Sequence, residues 1–215
     1  MPIAAPRPAT SLDLSDFART VAESLDDLLA DAVARVREQT SSRATADAQG
    51  VDSNQRATHG LAWLATYVEA VRQLTAYVDR LTHSGSLGEM EELLIRIGLG
   101  EYVAQIAGGI PMSQGEMVRL SDLGISPAQV TARIGALTER IVEEGNTAER
   151  RARLIELMRH SHGATIGACG LDDTLESIRD EMRKFSDTEV INRAQGWHRT
   201  NSYIPMEIIS QMSGL

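Results

Sequence analysis

Seven apolar residues between positions 61 and 81 recur at every third or fourth place, and no other stretch constrains the fold as strongly. This spacing puts them on one face of an α-helix of about six turns. They are Leu61, Leu64, Val68, Val71, Leu74, Val78 and Leu81. The small and polar residues of "THSGS" then predict the end of the helix. The chain is therefore predicted to contain a long amphipathic helix here.

The same spacing occurs in an earlier and a later stretch, and the composition agrees with it. Aromatic residues make up 4% of the chain, and residues with high helix propensity dominate. The earlier stripe is Leu14, Phe17, Val21, Leu25, Leu28, Ala32 and Val36, and the later one is Leu171, Leu175, Ile178, Met182 and Phe185. We find no alternating strand pattern and no Asn-Gly hairpin signal. The predicted fold class is all-α, and the last helix continues less regularly to Trp197.

A further helix is predicted after residue 85, because Ser86 and Glu89 have the spacing of a capping box. Its apolar positions are Met90, Leu94 and Ile97. This helix also contains Gly98, Gly100, Gly108 and Gly109, which lower helix stability and indicate close approach of a neighbouring backbone. We expect the helix to be central and tightly packed. The following segment, "IPMSQGEMVRLSDLGI", is too polar for a core strand.

Two more helices are predicted from their capping residues. Ser126, Pro127 and Gln129 have the residue types of an N-cap, a first and a third helical position. Gly145 is expected to end that helix, and Asn146 to cap the next one, which continues to "RHSHG".

The last eleven residues resemble a complete helix with its stop signal. Pro205 suits a first helical position, and Gly214 suits a left-handed C-terminal cap. The apolar residues here are Ile208, Ile209, Met212 and Leu215. A capping motif that directs a following segment predicts that the sequence is the front part of a longer protein.

Charge and composition exclude several classes of function. The net charge is −9, with both signs interleaved, which argues against nucleic-acid binding. The single cysteine, Cys169, excludes an internal disulfide and fits a reducing compartment. The N-terminus has no apolar signal-peptide core, and the most hydrophobic stretch, residues 93–110, contains Arg96 and Glu101. We expect a soluble, cytoplasmic protein with no membrane partner.

Four patterns in the sequence are candidate sites. "GLGEYV" (98–103) begins like a dinucleotide-binding fingerprint, but it lacks the third glycine and follows a helical pattern instead of a strand. The carboxylates at 89, 91 and 92 all lie in the first turn of one predicted helix, where negative charge stabilises the N-terminus. This position favours a structural role over acid–base catalysis. No catalytic or cofactor-binding residue is predicted in this chain.

The other two patterns involve thiol and imidazole groups. Three residues have side chains that could bind zinc: His160, His162 and Cys169. No fourth ligand lies at a recognised spacing, however. The two histidines are better explained by their place at a helix C-terminus, where the helix dipole favours positive charge. Cys169 has no basic neighbour in the sequence, which favours a packing role over a reactive thiol. No metal ligand is predicted.

The closing segment, "FSDTEVINRAQGWHRTNSYIPMEIISQMSGL", resembles the opening helices of the acyl-CoA dehydrogenase family. The positions that match are Phe185, Glu189, Val190, Ile191, Ala194, Trp197, His198, Arg199, Pro205, Glu207, Met212 and Gly214. Asn192 departs from the family pattern, which often has proline there, and so does Ser213. Upstream, "THGLAWLATYVEAVRQL" and "GEYVAQIAGGIPMSQGE" resemble the helical N-terminal extension of a branch that oxidises a branched acyl-CoA in the ethylmalonyl-CoA pathway. The resemblance begins at about residue 56.

The resemblance implies a domain organisation. Residues 1–10 are a tail and residues 11–165 a helical N-terminal extension, with a polar linker at 39–55. Residues 171–215 are the incomplete start of the dehydrogenase N-terminal helical domain. The predicted architecture is therefore a helical bundle extension followed by the first helices of that domain.

The resemblance also implies an activity for the intact parent. Members of the family bind FAD, oxidise acyl-CoA substrates, pass electrons to an electron-transferring flavoprotein and form homo-oligomers. Their flavin-binding β-domain and catalytic carboxylate follow the helices seen here, so this chain alone is expected to hold no flavin and to be inactive. Two alternatives remain: a stand-alone helical interaction module, and another short-chain acyl-CoA dehydrogenase with the same extension.

Overall fold

The structure, a computed structural model, describes residues 13–42, 45–46, 48–113, 115–161 and 167–214. It confirms the all-α fold class. The helices are α1 (Leu14–Thr40), α2 (Ala48–Ser53), α3 (Gln55–Ser84), α4 (Glu89–Gly108), α5 (Pro127–Glu144), α6 (Ala148–His160), α7 (Asp173–Phe185), α8 (Ile191–Arg199) and α9 (Met206–Met212). Two small antiparallel ribbons pair β1 (Ser41–Ser42) with β2 (Thr45–Ala46), and β3 (Ile110–Ser113) with β4 (Glu116–Val118). The predicted tail, His162 and Leu215 lie outside the described residues.

The chain divides into two compact units, residues 1–168 (unit 1) and 169–215 (unit 2). The predicted boundaries of the extension and of the dehydrogenase domain stay predictions. Within the described ranges, no helix combines the length and the apolar character needed to span a bilayer.

The core of unit 1 forms around α1 and α3, as their stripes predict. All seven predicted residues of α1 are buried, and so are five of the seven in α3. Leu61 and Leu74 are half-buried against the same core. Gly85, with φ +69°, ends α3 in the left-handed conformation that glycine adopts without strain.

Helix α4 lies at the centre of unit 1, as predicted, in contact with α1, α3, α5, α6 and β3. Two details of its prediction are wrong. Gly88, not Ser86, is the N-cap, because the carboxylate of Glu91 accepts a hydrogen bond from the Gly88 N–H at 3.2 Å. The predicted apolar face is also only half-buried, because helices contact α4 on several sides. Its buried residues are Leu93, Ile95, Arg96, Leu99, Gly100, Val103 and Ile106.

The predicted close approach at the α4 glycines is found at Gly100. A Cβ atom there would lie 3.0 Å from both the Cβ and the backbone nitrogen of Asn146. At Gly98 the nearest atom would be 3.4 Å away, an ordinary contact, and at Gly108 no atom lies within 4 Å. Gly100 is therefore the point at which the chain after α5 packs directly on α4.

The segment after α4 contains a hairpin that the sequence patterns did not predict. Ile110 pairs with Val118 and Pro111 with Met117, and the register then shifts before Ser113. Val118 packs on Gly60 of α3, where an added Cβ would lie 2.9 Å from its Cγ1. The hairpin is too short for a strand pattern, and contact with α3 stabilises it.

Helix α5 begins and ends as predicted. The Gln129 N–H donates to the Ser126 hydroxyl at 3.3 Å, the Gln129 side chain accepts from the Ser126 N–H at 3.0 Å, and Gly145 follows the last turn. The predicted cap of α6 is wrong by one residue. Thr147 caps α6 by accepting from the Arg150 N–H, because the Asn146 side chain is bound to Glu101 of α4.

The predicted linker at 39–55 contains ordered elements, namely the end of α1, the β1–β2 ribbon and the short helix α2. The Asn54 side chain donates to the carbonyl groups of Gln39 and Gly50 at 3.2 and 2.9 Å. These bonds close the connection between α1 and α3.

Unit 2 contains α7, α8 and α9. Asp172 caps α7, and a π turn at Ser186–Val190 joins α7 to α8, which explains the irregular spacing after Phe185. Helix α9 begins at Met206, one residue later than predicted. The predicted left-handed cap at Gly214 is wrong, because Gly214 does not have positive φ and its N–H bonds back to Gln211 at 3.1 Å.

Among the described residues of unit 2, Ile208 alone is buried. Phe185, Val190 and Trp197 are half-buried, and most of the other apolar residues described on its helices are exposed. Exposed ones include Leu175, Ile178, Met182, Ile191, Ile209 and Met212. Unit 2 by itself therefore has almost no core.

Candidate functional site

A surface groove of about 590 Å³ lies between α3, α4 and α6 in unit 1. Its apolar part combines two tyrosine rings with aliphatic side chains and a glycine of α4. The lining residues are Tyr67, Leu94, Ile97, Gly98, Glu101, Tyr102, Gln105 and Arg151. The Tyr67 and Tyr102 rings meet edge to face with centroids 5.1 Å apart, an arrangement that favours aromatic contact.

Hydrogen bonds run from α3 to α4 along the groove. The Tyr67 hydroxyl donates to Gln105 Oε1 at 2.8 Å, and the Gln105 amide donates to Glu101 Oε1 at 2.7 Å. Burial raises the pKa of Tyr67 above its usual 10.0, with smaller contributions from Tyr102 and Glu101. Tyr67 therefore stays a protonated donor at neutral pH.

The second oxygen of Glu101 connects α4 to the start of α6. Glu101 Oε2 accepts from the Asn146 amide at 2.7 Å and from Arg151 at 3.2 Å, while Arg151 also donates to Asn146. Three donors therefore occupy the Glu101 carboxylate. This arrangement suits a structural network that joins helices better than a general base, which needs a lone pair directed at substrate.

A second groove, of about 560 Å³, lies between the start of α3 and the β3–β4 hairpin. Arg56 lines this groove and donates to the Met117 carbonyl at 2.8 Å and to Asp122 at 3.1 Å. Burial acts to raise the pKa of Asp122, but hydrogen bonds from the Arg119 N–H and from Arg56 outweigh it, so this pKa is lowered. The arginine of each groove is thus already paired with a carboxylate.

The three carboxylates at the start of α4 have different partners. Glu89 binds Arg153 at 2.8 and 2.9 Å, and these bonds lower the pKa of Glu89. Glu91 accepts backbone N–H groups, and Glu92 binds the buried Arg96 at 2.9 Å. The structure therefore separates the three groups instead of pairing two of them for acid–base chemistry.

The other sequence candidates are also placed by the structure. "GLGEYV" lies inside α4, so its glycines do not form a phosphate loop between a strand and a helix. His160 is the last residue of α6. Among the described residues, no three His, Cys, Asp or Glu side chains come together as a metal-binding group.

The sequence has no basic residue next to Cys169, but the fold brings Arg179 to it. The pKa of Arg179 is raised by its hydrogen bond with Asp180 and also by one with Cys169. Arg179 is in α7, ten residues beyond Cys169, and no local sequence pattern connects the two residues. The same limit applies to Tyr67 and Asn146, which meet α4 from far along the chain. The prediction that this chain has no catalytic, flavin-binding or metal-ligating residue stays a prediction.

Over 94% of its length the chain is similar to an acyl-CoA dehydrogenase, and the family resemblance of its sequence is thereby confirmed. That relative is the (2S)-methylsuccinyl-CoA dehydrogenase of Cereibacter sphaeroides, which is 43% identical over 202 residues. The match is longer than the stretch from residue 56 onward, so it includes earlier residues that had no named resemblance. The chain spans 36% of the length of that relative. No protein-family profile matches the chain.

Proposed function

We propose that this chain is the N-terminal portion of an FAD-dependent acyl-CoA dehydrogenase that oxidises methylsuccinyl-CoA to mesaconyl-CoA. The observation that carries the proposal is its 43% identity to the bacterial enzyme over nearly the whole chain. The all-α architecture is consistent with the helices that open acyl-CoA dehydrogenases. We also propose a cytoplasmic homo-oligomer that passes electrons to an electron-transferring flavoprotein.

The described residues do not fit a flavin dinucleotide. Arg56 and Arg151 line the two grooves, but they are paired with Asp122 and Glu101. Both grooves also carry a carboxylate, Glu101 in one and Glu116 in the other, which would repel a pyrophosphate. We therefore propose that this chain is inactive alone.

The chemistry of the proposed reaction requires groups that this chain does not supply. Oxidation of an acyl-CoA needs a carboxylate base for the α-proton and an acceptor for the β-hydride, held on opposite sides of one bond. In acyl-CoA dehydrogenases the flavin supplies that acceptor. We propose that residues outside this chain provide the base and hold the flavin.

The first test is the intact mass of the protein in lysate of its source cells, captured by antibody and measured by mass spectrometry. A product several tens of kilodaltons heavier than 23.4 kDa supports the proposal. A native product of 23.4 kDa would contradict it and make a stand-alone helical module the leading account. Unit 1 would suit such a module, because its helices share one core.

The second test separates the proposed substrate from that of another short-chain acyl-CoA dehydrogenase. The purified natural product is assayed with methylsuccinyl-CoA and with butyryl-CoA, with the 215-residue chain as a control. We expect preference for the carboxylated, branched substrate and no turnover by the control. Preference for butyryl-CoA would assign another member of the family, and turnover by the control would refute its inactivity.

A further inference from the structure

We propose that Tyr77 and Glu91 form a clamp that holds the backbone of Ala168 against α3 and α4 and fixes where the chain leaves unit 1. Ala168 is the last residue of that unit and lies outside its helices. The Tyr77 hydroxyl donates to the Ala168 carbonyl, and Glu91 Oε1 accepts from the Ala168 N–H at 2.8 Å. Side chains from two helices thus satisfy both backbone polar groups of one residue.

Glu91 connects this clamp to the start of α4. Its other carboxylate oxygen, Oε2, accepts from the N–H of Gly88, the N-cap residue, at 3.2 Å. A carboxylate can accept both bonds at once because each oxygen is an acceptor. A glutamine at position 91 keeps one acceptor oxygen and presents a donor to the other N–H. One residue therefore supports the helix start and the chain exit together.

The backbone conformation of Gly167, the residue before Ala168, is compatible with the clamp. Gly167 has φ +78°, a conformation that glycine adopts without strain and most other residues avoid. A Cβ at this position would lie 2.9 Å from Leu94 Cδ1 and within 3.7 Å of the Tyr77 hydroxyl. A side chain at this position would therefore strain the backbone and displace the end of the Leu94 side chain.

The Tyr77 side chain has support of its own. It is half-buried against the core of unit 1, and the Arg80 guanidinium lies 5.8 Å from the centroid of its ring. The hydroxyl is thus presented by a side chain that packing already holds. Opening the clamp removes bonds to Ala168 without removing the packing of α3.

The test is hydrogen exchange of the Ala168 amide in the complete natural gene product, followed by mass spectrometry with fragmentation. The variants are Tyr77→Phe, Glu91→Gln and Gly167→Ala. Matched controls are Tyr203→Phe, where the side chain is 96% exposed, Glu149→Gln on the exposed face of α6, and Gly196→Ala, where a Cβ meets no atom within 4 Å. The proposal does not depend on the proposed enzymatic activity.

We expect the Ala168 amide to exchange about fivefold to tenfold faster in each clamp variant, as loss of one hydrogen bond predicts, with α1 and α3 unchanged. The controls should exchange like the wild type. Wild-type exchange at Ala168 in Tyr77→Phe and Glu91→Gln would overturn the clamp. An equal increase throughout α3 and α4 would also overturn it, because the residues would then support only the fold. Gly167→Ala changes neither Tyr77 nor Glu91. It therefore still tests the clamp if the Glu91 variant unfolds.

Discussion

The Arg96 guanidinium lies 5.6 Å from the centroid of the Phe17 ring and joins α4 to α1 inside the core of unit 1. Arg96 is only 4% exposed, and its Nε donates to Glu92 at 2.9 Å. Arg140 lies 5.3 Å from the same ring. A buried phenylalanine thus provides an electron-rich face to two cations, and the aliphatic part of Arg96 packs in the core.

Replacing Arg96 by alanine is expected to lower the free energy of unfolding by about 2–4 kcal/mol, because packing and the contact with Phe17 are lost together. Methionine at this position fills similar space without a charge to bury, so Arg96→Met should cost about 1 kcal/mol or less. Trp63 fluorescence during urea unfolding, in a Trp197→Phe background, reports on unit 1. Exposed Arg159 provides the control, Arg159→Ala. Equal losses for the alanine and methionine variants would show that the charge itself is required.

Two glycines of α4 provide a matched pair of substitutions. Gly98→Ala should raise stability by about 0.5–1 kcal/mol, because alanine favours the helix and meets only an ordinary contact. Gly100→Ala should lower it by about 1–3 kcal/mol, because the new methyl group meets the backbone of Asn146. Thermal unfolding followed by circular dichroism measures both. If the two variants shift the melting temperature in the same direction, the close approach at Gly100 is not required for stability.

The sequence predicts a helix well when the helix buries one face. The stripes of α1 and α3 identified their core residues because each helix has a single buried side. Helix α4 is contacted on several sides, so its buried residues do not follow one stripe. A charged residue such as Arg96 gives no apolar signal for burial. Local patterns therefore placed α4 at the centre but misplaced its face.

The grooves were less predictable than the helices. The bond between Glu101 and Gln105 follows from helical spacing, since side chains four residues apart are neighbours. Tyr67 reaches the same network from α3 and Asn146 from the connection between α5 and α6, and no spacing rule connects them. The β3–β4 hairpin was missed for a similar reason, because contact between Val118 and Gly60 stabilises it more than any strand pattern.

The hydrogen bonds that Asp122 accepts from the Arg119 N–H and from Arg56 should make unit 1 sensitive to acid. The pKa of Asp122 in the folded chain is below its usual 3.8, so protonation favours the unfolded chain. This contribution to stability is complete above pH 3.8. It is lost as the pH falls through the lower pKa that Asp122 has in the folded chain. Urea unfolding from pH 6 to pH 2.5 should show a smaller loss for Asp122→Asn than for the wild type. The control, Asp187→Asn, should follow the wild type, and identical curves for all three proteins would contradict the prediction.

The exposed apolar face of α7 should make the 215-residue chain associate. Leu175, Ile178 and Met182 are 47%, 54% and 38% exposed. Ile178→Glu should raise the concentration needed for association about tenfold, because it places a charge in an apolar contact. Sedimentation velocity measures this change. Ile155→Glu, at a 51% exposed position of α6, is the control. A sharp monomer at high concentration would contradict the prediction.

The π turn at Ser186–Val190 has a consequence for comparing relatives of this chain. A π turn accommodates about one more residue than an α-helical turn, and one residue corresponds to about 100° of rotation around a helix. Removing one residue between 186 and 190 would therefore give an uninterrupted helix and turn Ile191 and its successors by about 100° relative to α7. A single-residue gap at this place in an alignment marks a change in which side chains share a face, even where the flanking sequences match.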